Sequence, residues 1–344
     1  MNTLCIYHKI DIDGWLSAAI VKHYYDTHVK LYCSVCEQPL PDGHTGSTQC
    51  CGGMTISDNT IELLGYNYGD SIDIEDIKNN YDRVITVDVS LDILDMITLI
   101  DKLGHNFIYI DHHTAKINEV IEKTVEGSFE MHCNTADDFK DKKAACELAW
   151  EYYFPNEDLP NVVRRASDYD CFRLKAYDED KQNVILTTQY GMRAYITDVE
   201  SALAYIINRD DDKYNGHYST LNLYQAGISI YEHLIVEANQ TYTKTFDIEL
   251  IEPAGNNNIT KCFKCVNKER FNPINFGIDY HNDNYDGFAC FSYDGNTWGF
   301  SIYNDNGEVD CAAIAKTFGG GGHKGASGFR VKDITEFINK HKIN

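Results

Sequence analysis

The chain has 344 residues, of which 43% are hydrophobic and 12% aromatic, an ordinary composition for a globular protein with more than one core. Its 30 basic and 53 acidic residues give a net charge of −23, which disfavours binding to a long polyanion except where cations or local basic patches reverse the field. No apolar stretch approaches the roughly 20 residues of a membrane helix, and the first residues predict a core strand instead of a signal peptide. We therefore expect a cytoplasmic protein with no membrane partner.

Hydrophobic periodicity predicts alternating strands and helices in the first part of the chain. The predicted strands are residues 3–8, 61–66, 84–88 and 107–110, and the predicted helices are residues 15–25, 91–103, 144–153 and 161–166. Alternation of this kind predicts an α/β fold with a parallel, doubly wound sheet.

The pattern changes in the second half of the chain. Residues 198–238 have helical spacing and predict a long connecting helix. Short strands with Asn, Gly and Asp turns follow, over 246–252, 260–267, 287–293 and 297–303. We predict an α/β domain over 1–195, a helical connector over 196–245 and a smaller α+β domain over 246–344.

Histidines and aspartates follow three of the predicted strands. The first strand ends at His8, with Asp11 and Asp13 close behind; Asp88 ends the third strand; Asp111-His112-His113 follows the fourth. Each piece alone is ordinary, since Asp-Gly pairs occur in turns and aspartates begin helices. Together they indicate a metal site, because ligands bind beyond the carboxyl ends of the strands in an open parallel sheet.

These residues resemble the motifs of the DHH phosphoesterase superfamily. The segment from His8 to Gly14 matches its His-x-x-Asp-x-Asp-Gly motif, Asp88 matches the second motif, and Asp111-His112-His113 is the naming triplet. The fourth motif of the superfamily is an aspartate after a helix. We expect Asp168, and not Asp170, to be that aspartate. A glycine-rich segment near the other end, 318–329, resembles the loop of the second domain in the oligoribonuclease and nucleotide-phosphatase branches.

The resemblance implies a two-metal site in the first domain. The implied metal ligands are His8, Asp11, Asp13, Asp88, His112 and Asp168, with Asp88 bridging two ions. His113 and Asp88 are the implied catalytic residues, and Asp111 would orient an imidazole. Carboxylates with a few imidazoles favour two Mn²⁺ or two Mg²⁺ ions, with a preference for Mn²⁺.

The glycine-rich loop is the predicted substrate-binding element of the second domain. Consecutive glycines allow several backbone amides to face one anion. The predicted substrate contacts are Gly320, Gly321, Gly322, His323 and Arg330. Glycine runs also occur in linkers, but here a helical pattern precedes the run and a strand pattern follows it.

A cysteine-rich insert over about 32–56 is not explained by the resemblance. Cys33 and Cys36 form a Cys-x-x-Cys pair, and Cys50 and Cys51 follow. Thiolates in a turn-rich loop bind Zn²⁺ tetrahedrally, so one structural zinc ion and a plain reduced loop remain equal alternatives. A disulfide is disfavoured in a cytoplasmic chain.

We therefore predict a Mn²⁺-dependent phosphohydrolase that acts on short oligonucleotides or small nucleotides, and not on long duplex DNA. Cyclic nucleotide or cyclic dinucleotide phosphodiesterase and polyphosphatase are alternative activities. A nucleotide-binding protein without catalysis is an alternative of another class. The sequence leaves open whether the chain is a monomer or a homodimer.

Overall fold

The structure is a computed structural model with two compact units, Met1–Ile230 and Tyr231–Asn344. It describes residues 1–28, 31–33, 55–57, 60–138, 140–208, 216–255, 257–269, 285–304, 307–322 and 324–343. Within these ranges no helix is both long enough and apolar enough to span a membrane.

A five-stranded parallel sheet organises the first unit. Its strands are β1 (Asn2–His8), β4 (Thr60–Tyr66), β5 (Arg83–Val87), β6 (Phe107–Asp111) and β7 (Glu130–Cys133), in the spatial order β4-β1-β5-β6-β7. Two short strands outside this sheet, β2 (Leu31–Cys33) and β3 (Thr55–Ser57), form an antiparallel pair. The α/β fold class with a parallel sheet is confirmed.

Helices cover both faces of the parallel sheet. They are α1 (Ile12–Thr27), α2 (Ile74–Asn80), α3 (Ile93–Leu103), α4 (Thr114–Lys123), α5 (Ala145–Tyr153), α6 (Asn161–Asp170), α7 (Glu179–Tyr195) and α8 (Val199–Ile207). Alternate strand residues enter two separate cores: Cys5 belongs to the core with α1, α5, α6 and α8, while Leu4 and Ile6 belong to the core with α2, α3 and α4. The strands are apolar on both faces because both faces are buried.

The predicted boundaries are wrong at several helices. Helix α1 begins at Ile12, three residues before the predicted start, because the Asp11 carboxylate accepts the Gly14 backbone N–H at 2.9 Å and caps the helix. Helix α6 continues to Asp170, beyond the predicted end at residue 166. Helices α2, α4 and α7 and strand β7 were not predicted from the sequence.

The single long helix predicted over 198–238 is wrong as well. Helix α8 ends at Ile207, residues 216–219 form a turn, and helix α9 (Thr220–Tyr242) begins after it. Helix α8 packs on α1 through Ala202 and Ile206, so its apolar residues belong to the core of the first unit instead of a connector.

The second unit is built on a six-stranded mixed sheet. Its strands are β8 (Phe246–Ala254), β9 (Asn257–Asn267), β10 (Gly287–Tyr293), β11 (Trp298–Tyr303), β12 (Gly321–Gly322) and β13 (Ala326–Val331), in the order β12-β13-β11-β10-β9-β8. Helices α10 (Cys311–Thr317) and α11 (Ile334–His341) contribute Ile314 and Phe337 to its core. Four of these strands match the predicted ones closely.

Two glycines allow α7 and α9 to approach each other closely. A Cβ atom on Gly191 of α7 would lie 1.8 Å from the Leu223 carbonyl oxygen, and one on Gly227 of α9 would lie 1.8 Å from the Thr187 carbonyl oxygen. Each glycine therefore lies directly against the backbone of the other helix, where no side chain fits.

We predict that Gly191→Ala and Gly227→Ala each destabilise the protein. Alanine favours an isolated helix over glycine by about 1 kcal/mol, but a clash of two backbones cannot be relieved by a rotamer change and overpacking costs about 1–3 kcal/mol or more. The clash should dominate and lower the midpoint of urea unfolding. Gly299→Ala is the control, because its Cβ would have no neighbour nearer than 4.0 Å. Unfolding midpoints equal to that of the control would contradict the prediction.

Candidate metal centre

The topology of the parallel sheet creates a crevice at the carboxyl ends of its strands. From β1 the chain passes outward to β4 and then returns to the other side of β1 at β5. Loops on the two sides of this reversal leave in opposite directions, so a crevice forms between the ends of β1 and β5. His8 is the last residue of β1, Asp88 follows β5, and Asp111 is the last residue of β6.

The first group of ligand atoms lies beside β1. The His8 Nδ1 atom is 2.7 Å from the Asp11 Oδ2 atom and 3.5 Å from the Asp88 Oδ2 atom. His8 is buried, and Asp11 is fixed by its capping bond to Gly14. One nitrogen and two carboxylate oxygens therefore converge, as the ligands of a divalent ion do.

The second group surrounds His112. Its Nε2 atom lies 3.5 Å from Asp13 Oδ2, 3.4 Å from Asp88 Oδ1 and 3.3 Å from Asp170 Oδ2. Asp13 is buried at the N-terminus of α5, where the backbone amides of Ala145 and Cys146 donate to its two oxygens at 2.9 and 2.8 Å. The helix dipole favours a negative charge at this point.

Asp88 belongs to both groups. Its Oδ2 atom faces His8 and its Oδ1 atom faces His112, yet neither buried oxygen has a hydrogen-bond partner, and the residue is only 1% exposed. The backbone has a positive φ of 58° at Asp88, a conformation that non-glycine residues rarely adopt, while its N–H still donates to the Ile110 carbonyl oxygen. A buried carboxylate without hydrogen-bond partners is costly, so these two oxygens fit the role of ligands to a divalent cation.

The electrostatics of the two groups agree with this fit. Burial and the neighbouring Asp88 raise the pKa of Asp13 to about 7, and burial likewise raises the pKa of Asp88. Burial opposes a charge on His8, but Asp11 and Asp88 outweigh it and raise its pKa to about 10. Burial also opposes a charge on His112, but the carboxylates of Asp88, Asp170 and Asp13 outweigh it and raise the pKa of the imidazole. Protons on these imidazoles occupy the positions where cations would neutralise the carboxylates.

Asp111 has a different role from the other aspartates. It accepts hydrogen bonds from Ser90 and Tyr109 on one oxygen, both at 2.9 Å, and from the His112 and His113 backbone amides on the other. The same Oδ1 atom lies 2.7 Å from His113 Nδ1. Asp111 therefore orients the His113 ring, as expected, and leaves its Nε2 atom available.

The structure places Asp168, the predicted fourth aspartate, beside an arginine instead of beside His112. Its Oδ1 atom is 2.5 Å from Arg173 Nε and accepts a hydrogen bond from the Tyr177 hydroxyl at 3.0 Å. Asp170, two residues further along α6, is the aspartate beside His112. Two residues turn the direction of a helical side chain by about 200°, so the two aspartates face opposite ways.

The remaining predicted site residues lie outside this cluster or outside the described residues. Gly320, Gly321, Gly322 and Arg330 belong to the second unit, where the Arg330 guanidinium pairs with Asp294 and contacts the Thr297 hydroxyl. His323, Cys36, Cys50 and Cys51 lie outside the described residues, and for Cys33 only the backbone is described. The substrate and zinc predictions for these residues stay predictions.

Two residues of the loop after β4 also lie beside His8, although the sequence did not single them out. The Asn67 Oδ1 atom is 3.3 Å from His8 Nε2, and the Tyr68 ring lies 5.9 Å from the His8 ring. The available signal was their position: β4 is parallel to β1, so its exit loop lies at the same edge of the sheet.

The chain is similar to several known proteins over most of its length. The chain is 21% identical over 360 residues to the uncharacterized protein R106 of Acanthamoeba polyphaga mimivirus, a match that covers 98% of this chain and 70% of that protein. The structure of the pGpG-specific phosphodiesterase PggH from Vibrio cholerae is similar with a TM-score of 0.46 and 12% identity, covering 99% of this chain and 97% of that chain. The exonuclease RecJ bound to manganese is similar with a TM-score of 0.49 and 13% identity, covering 98% and 87%.

Residues 3–168 match the family model described as the DHH family, N-terminal domain. This range contains the five strands of the parallel sheet and the Asp111-His112-His113 triplet. Over these residues the chain carries an N-terminal domain of the DHH family.

Proposed function

We propose that this protein is a divalent-cation-dependent phosphohydrolase that cleaves phosphoester bonds of short oligonucleotides or small nucleotides. The observation that carries the proposal is Asp88: a buried carboxylate whose two oxygens have no hydrogen-bond partner and face the imidazoles of two different ligand groups. A protein that only binds nucleotides does not require a carboxylate shared between two cations.

Two ions, Mn²⁺ or Mg²⁺, are the cofactors that these ligands suit. His8, Asp11 and Asp88 would hold one ion, and Asp13, Asp88, His112 and Asp170 would hold the other. When bound, such a pair provides an activated water and neutralises charge on the phosphoryl oxygens. The imidazoles among hard carboxylate ligands favour Mn²⁺ over Mg²⁺.

His113 is the proposed proton donor. Its ring is partly exposed, and its Nδ1 atom is held by the buried Asp111 carboxylate. Burial opposes a charge on His113, but Asp111 outweighs burial and raises the pKa of the imidazole. A protonated Nε2 atom can then donate to a phosphoryl oxygen or to the leaving oxygen as that oxygen gains charge.

The charge of the chain supports a small substrate. With a net charge of −23, the protein repels an extended polyanion, whereas a few phosphates entering a cation-filled crevice are attracted locally.

The glycine-rich loop of the second unit adopts backbone conformations that residues other than glycine rarely adopt. Gly319 and Gly322 have positive φ values of 77° and 142°. We propose that Gly320–Gly322, with His323, contacts the far end of the substrate.

We predict that Asp88→Asn abolishes turnover without lowering the stability of the metal-free protein. The amide cannot bridge two cations, and burial already disfavours the charged carboxylate that it replaces. Products from a 5′-phosphorylated dinucleotide, longer RNA, 3′-phosphoadenosine 5′-phosphate, cyclic dinucleotides and polyphosphate should be measured by mass spectrometry with Mn²⁺. In thermal unfolding, Mn²⁺ should raise the Tm of the wild type over that in EDTA and leave the variant unchanged.

The control for Asp88 is Asp101→Asn, which removes an exposed carboxylate of α3. It should keep both turnover and the Mn²⁺-dependent rise in Tm. Wild-type activity that survives Asp88→Asn would contradict the proposed centre. A wild type that binds Mn²⁺ but turns over none of the five substrates would favour a binding protein.

A second prediction separates the two aspartates of α6. Asp170→Asn should weaken Mn²⁺ binding about 10-fold or more, because metal affinity depends on deprotonated carboxylate ligands, with little effect on unfolding. Asp168→Asn should instead cost about 1.5–3 kcal/mol of stability, because it removes one of the two carboxylates, Asp168 and Glu147, that pair with buried Arg173. Isothermal titration with Mn²⁺ and urea unfolding measure the two effects. The reverse pattern would restore Asp168 as the metal ligand.

A further inference from the structure

The loop after β4 is fastened to the segment that contains His8. The Asn67 N–H donates to the Asp70 carboxylate at 2.8 Å, and the Asp70 N–H donates to the Asn67 carbonyl at 2.9 Å. The Lys9 ammonium lies 2.8 Å from the same Asp70 carboxylate, and the Lys9 N–H donates to the Tyr66 carbonyl oxygen at 3.1 Å. These four contacts fix the loop beside the candidate metal centre.

Asn67 connects the loop to a metal ligand. Its side-chain oxygen faces His8 Nε2 and also accepts the Tyr68 backbone N–H at 2.9 Å. If His8 carries its proton on Nε2, that proton is donated to Asn67 and Nδ1 remains directed at Asp11 and Asp88. The Asn67 side-chain oxygen thus contacts both the His8 imidazole and the backbone amide of Tyr68.

The Tyr68 ring lies near His8, and its hydroxyl lies near Ser90, in the segment that follows β5. The ring centroids of Tyr68 and His8 are 5.9 Å apart. The Ser90 backbone amide faces the Tyr68 oxygen, and the Asp111 and Asp88 carboxylates are close enough to act on it electrostatically. Even so, Tyr68 is 45% exposed. Its hydroxyl is a neutral donor at physiological pH, so a hydrogen-bond donor lies at the edge of a cluster otherwise rich in carboxylates.

We propose that Tyr68 is a substrate-binding residue whose hydroxyl donates a hydrogen bond to a phosphoryl oxygen of a phosphoester bound at the metal centre. The inference rests on the proposed function and adds a residue outside the superfamily motifs. The carboxylates of the cluster cannot donate to a phosphoryl oxygen, whereas the phenol can. The attachment of its loop to Lys9 and His8 keeps the donor in place before substrate arrives.

The test compares Tyr68→Phe, which removes only the oxygen, with Tyr68→Leu, which removes the ring. The substrates are a 5′-phosphorylated dinucleotide and bis(p-nitrophenyl) phosphate, a phosphodiester without a nucleobase, both with Mn²⁺. We expect Tyr68→Phe to lower kcat/KM about 10- to 100-fold on both substrates, as for a hydrogen bond to a charged group. The Tm and the affinity for Mn²⁺ should not change. Tyr195→Phe is the control, because Tyr195 is 52% exposed on α7.

Three results would overturn the proposal. Unchanged kinetics of Tyr68→Phe would exclude the hydroxyl. A loss confined to Tyr68→Leu on the dinucleotide would indicate base stacking instead, and a weaker affinity of Tyr68→Phe for Mn²⁺ would indicate support of His8.

Failure of the proposed function is distinguished by a binding measurement. If the wild type hydrolyses neither substrate, the binding of inorganic phosphate to the Mn²⁺-loaded protein is titrated calorimetrically. Weaker phosphate binding by Tyr68→Phe then supports the contact without catalysis, while equal binding, or no binding to the wild type, rejects it.

Discussion

The burial of Asp88 is the constraint on which the candidate centre depends. Its carboxylate lies between His8 and His112, removed from water and without hydrogen-bond donors. Removing a charge from water costs several kcal/mol even after the protein relaxes, and the two imidazoles recover part of this cost only while protonated. The centre is therefore arranged for a cation and not for the stability of the metal-free chain. Sites that bind ligands commonly contain groups that the fold alone does not satisfy.

The carboxylates around Asp88 are held by very different means. Asp13 is fixed by the first amides of α5, and the preceding Ala144 N–H donates to the buried Ser167 hydroxyl of α6 at 3.0 Å. Arg173 donates to Glu147 of α5 at 2.7 Å and pairs with Asp168 of α6. These contacts join the start of α5 to the end of α6, so the helix whose amides hold Asp13 and the helix that carries Asp170 form one support. Asp168 and Glu147 both pair with Arg173, although their chemistry is that of metal ligands.

The sequence predicts the strand ends well and the helix faces poorly, for a physical reason. Strands buried on both faces are short apolar runs with polar residues at their ends. The point where each apolar run ends therefore locates His8, Asp88 and Asp111 in the sequence. Asp168 and Asp170 are both polar residues of one helix, and their difference in direction depends on where α6 ends and on Arg173, three residues beyond it. Asn67 and Tyr68 were missed because a tyrosine in a turn has no chemical signature until its neighbours in space are known. Helices α2 and α4 were missed because each contributes only two buried residues to the core.

The histidines of the centre present different ring nitrogens, and the protein determines which. His113 is held through Nδ1 by Asp111, which leaves Nε2 available, whereas His8 is held through Nε2 by Asn67, which leaves Nδ1 directed at Asp11 and Asp88. The ring nitrogen that a histidine presents to a metal or substrate follows from the partner of the other nitrogen. The partner of His113 is a fully bonded, buried carboxylate that favours the imidazolium, which suits a proton donor. The partner of His8 is a neutral amide that favours neither charge state, which suits a ligand that must lose its second proton to a cation.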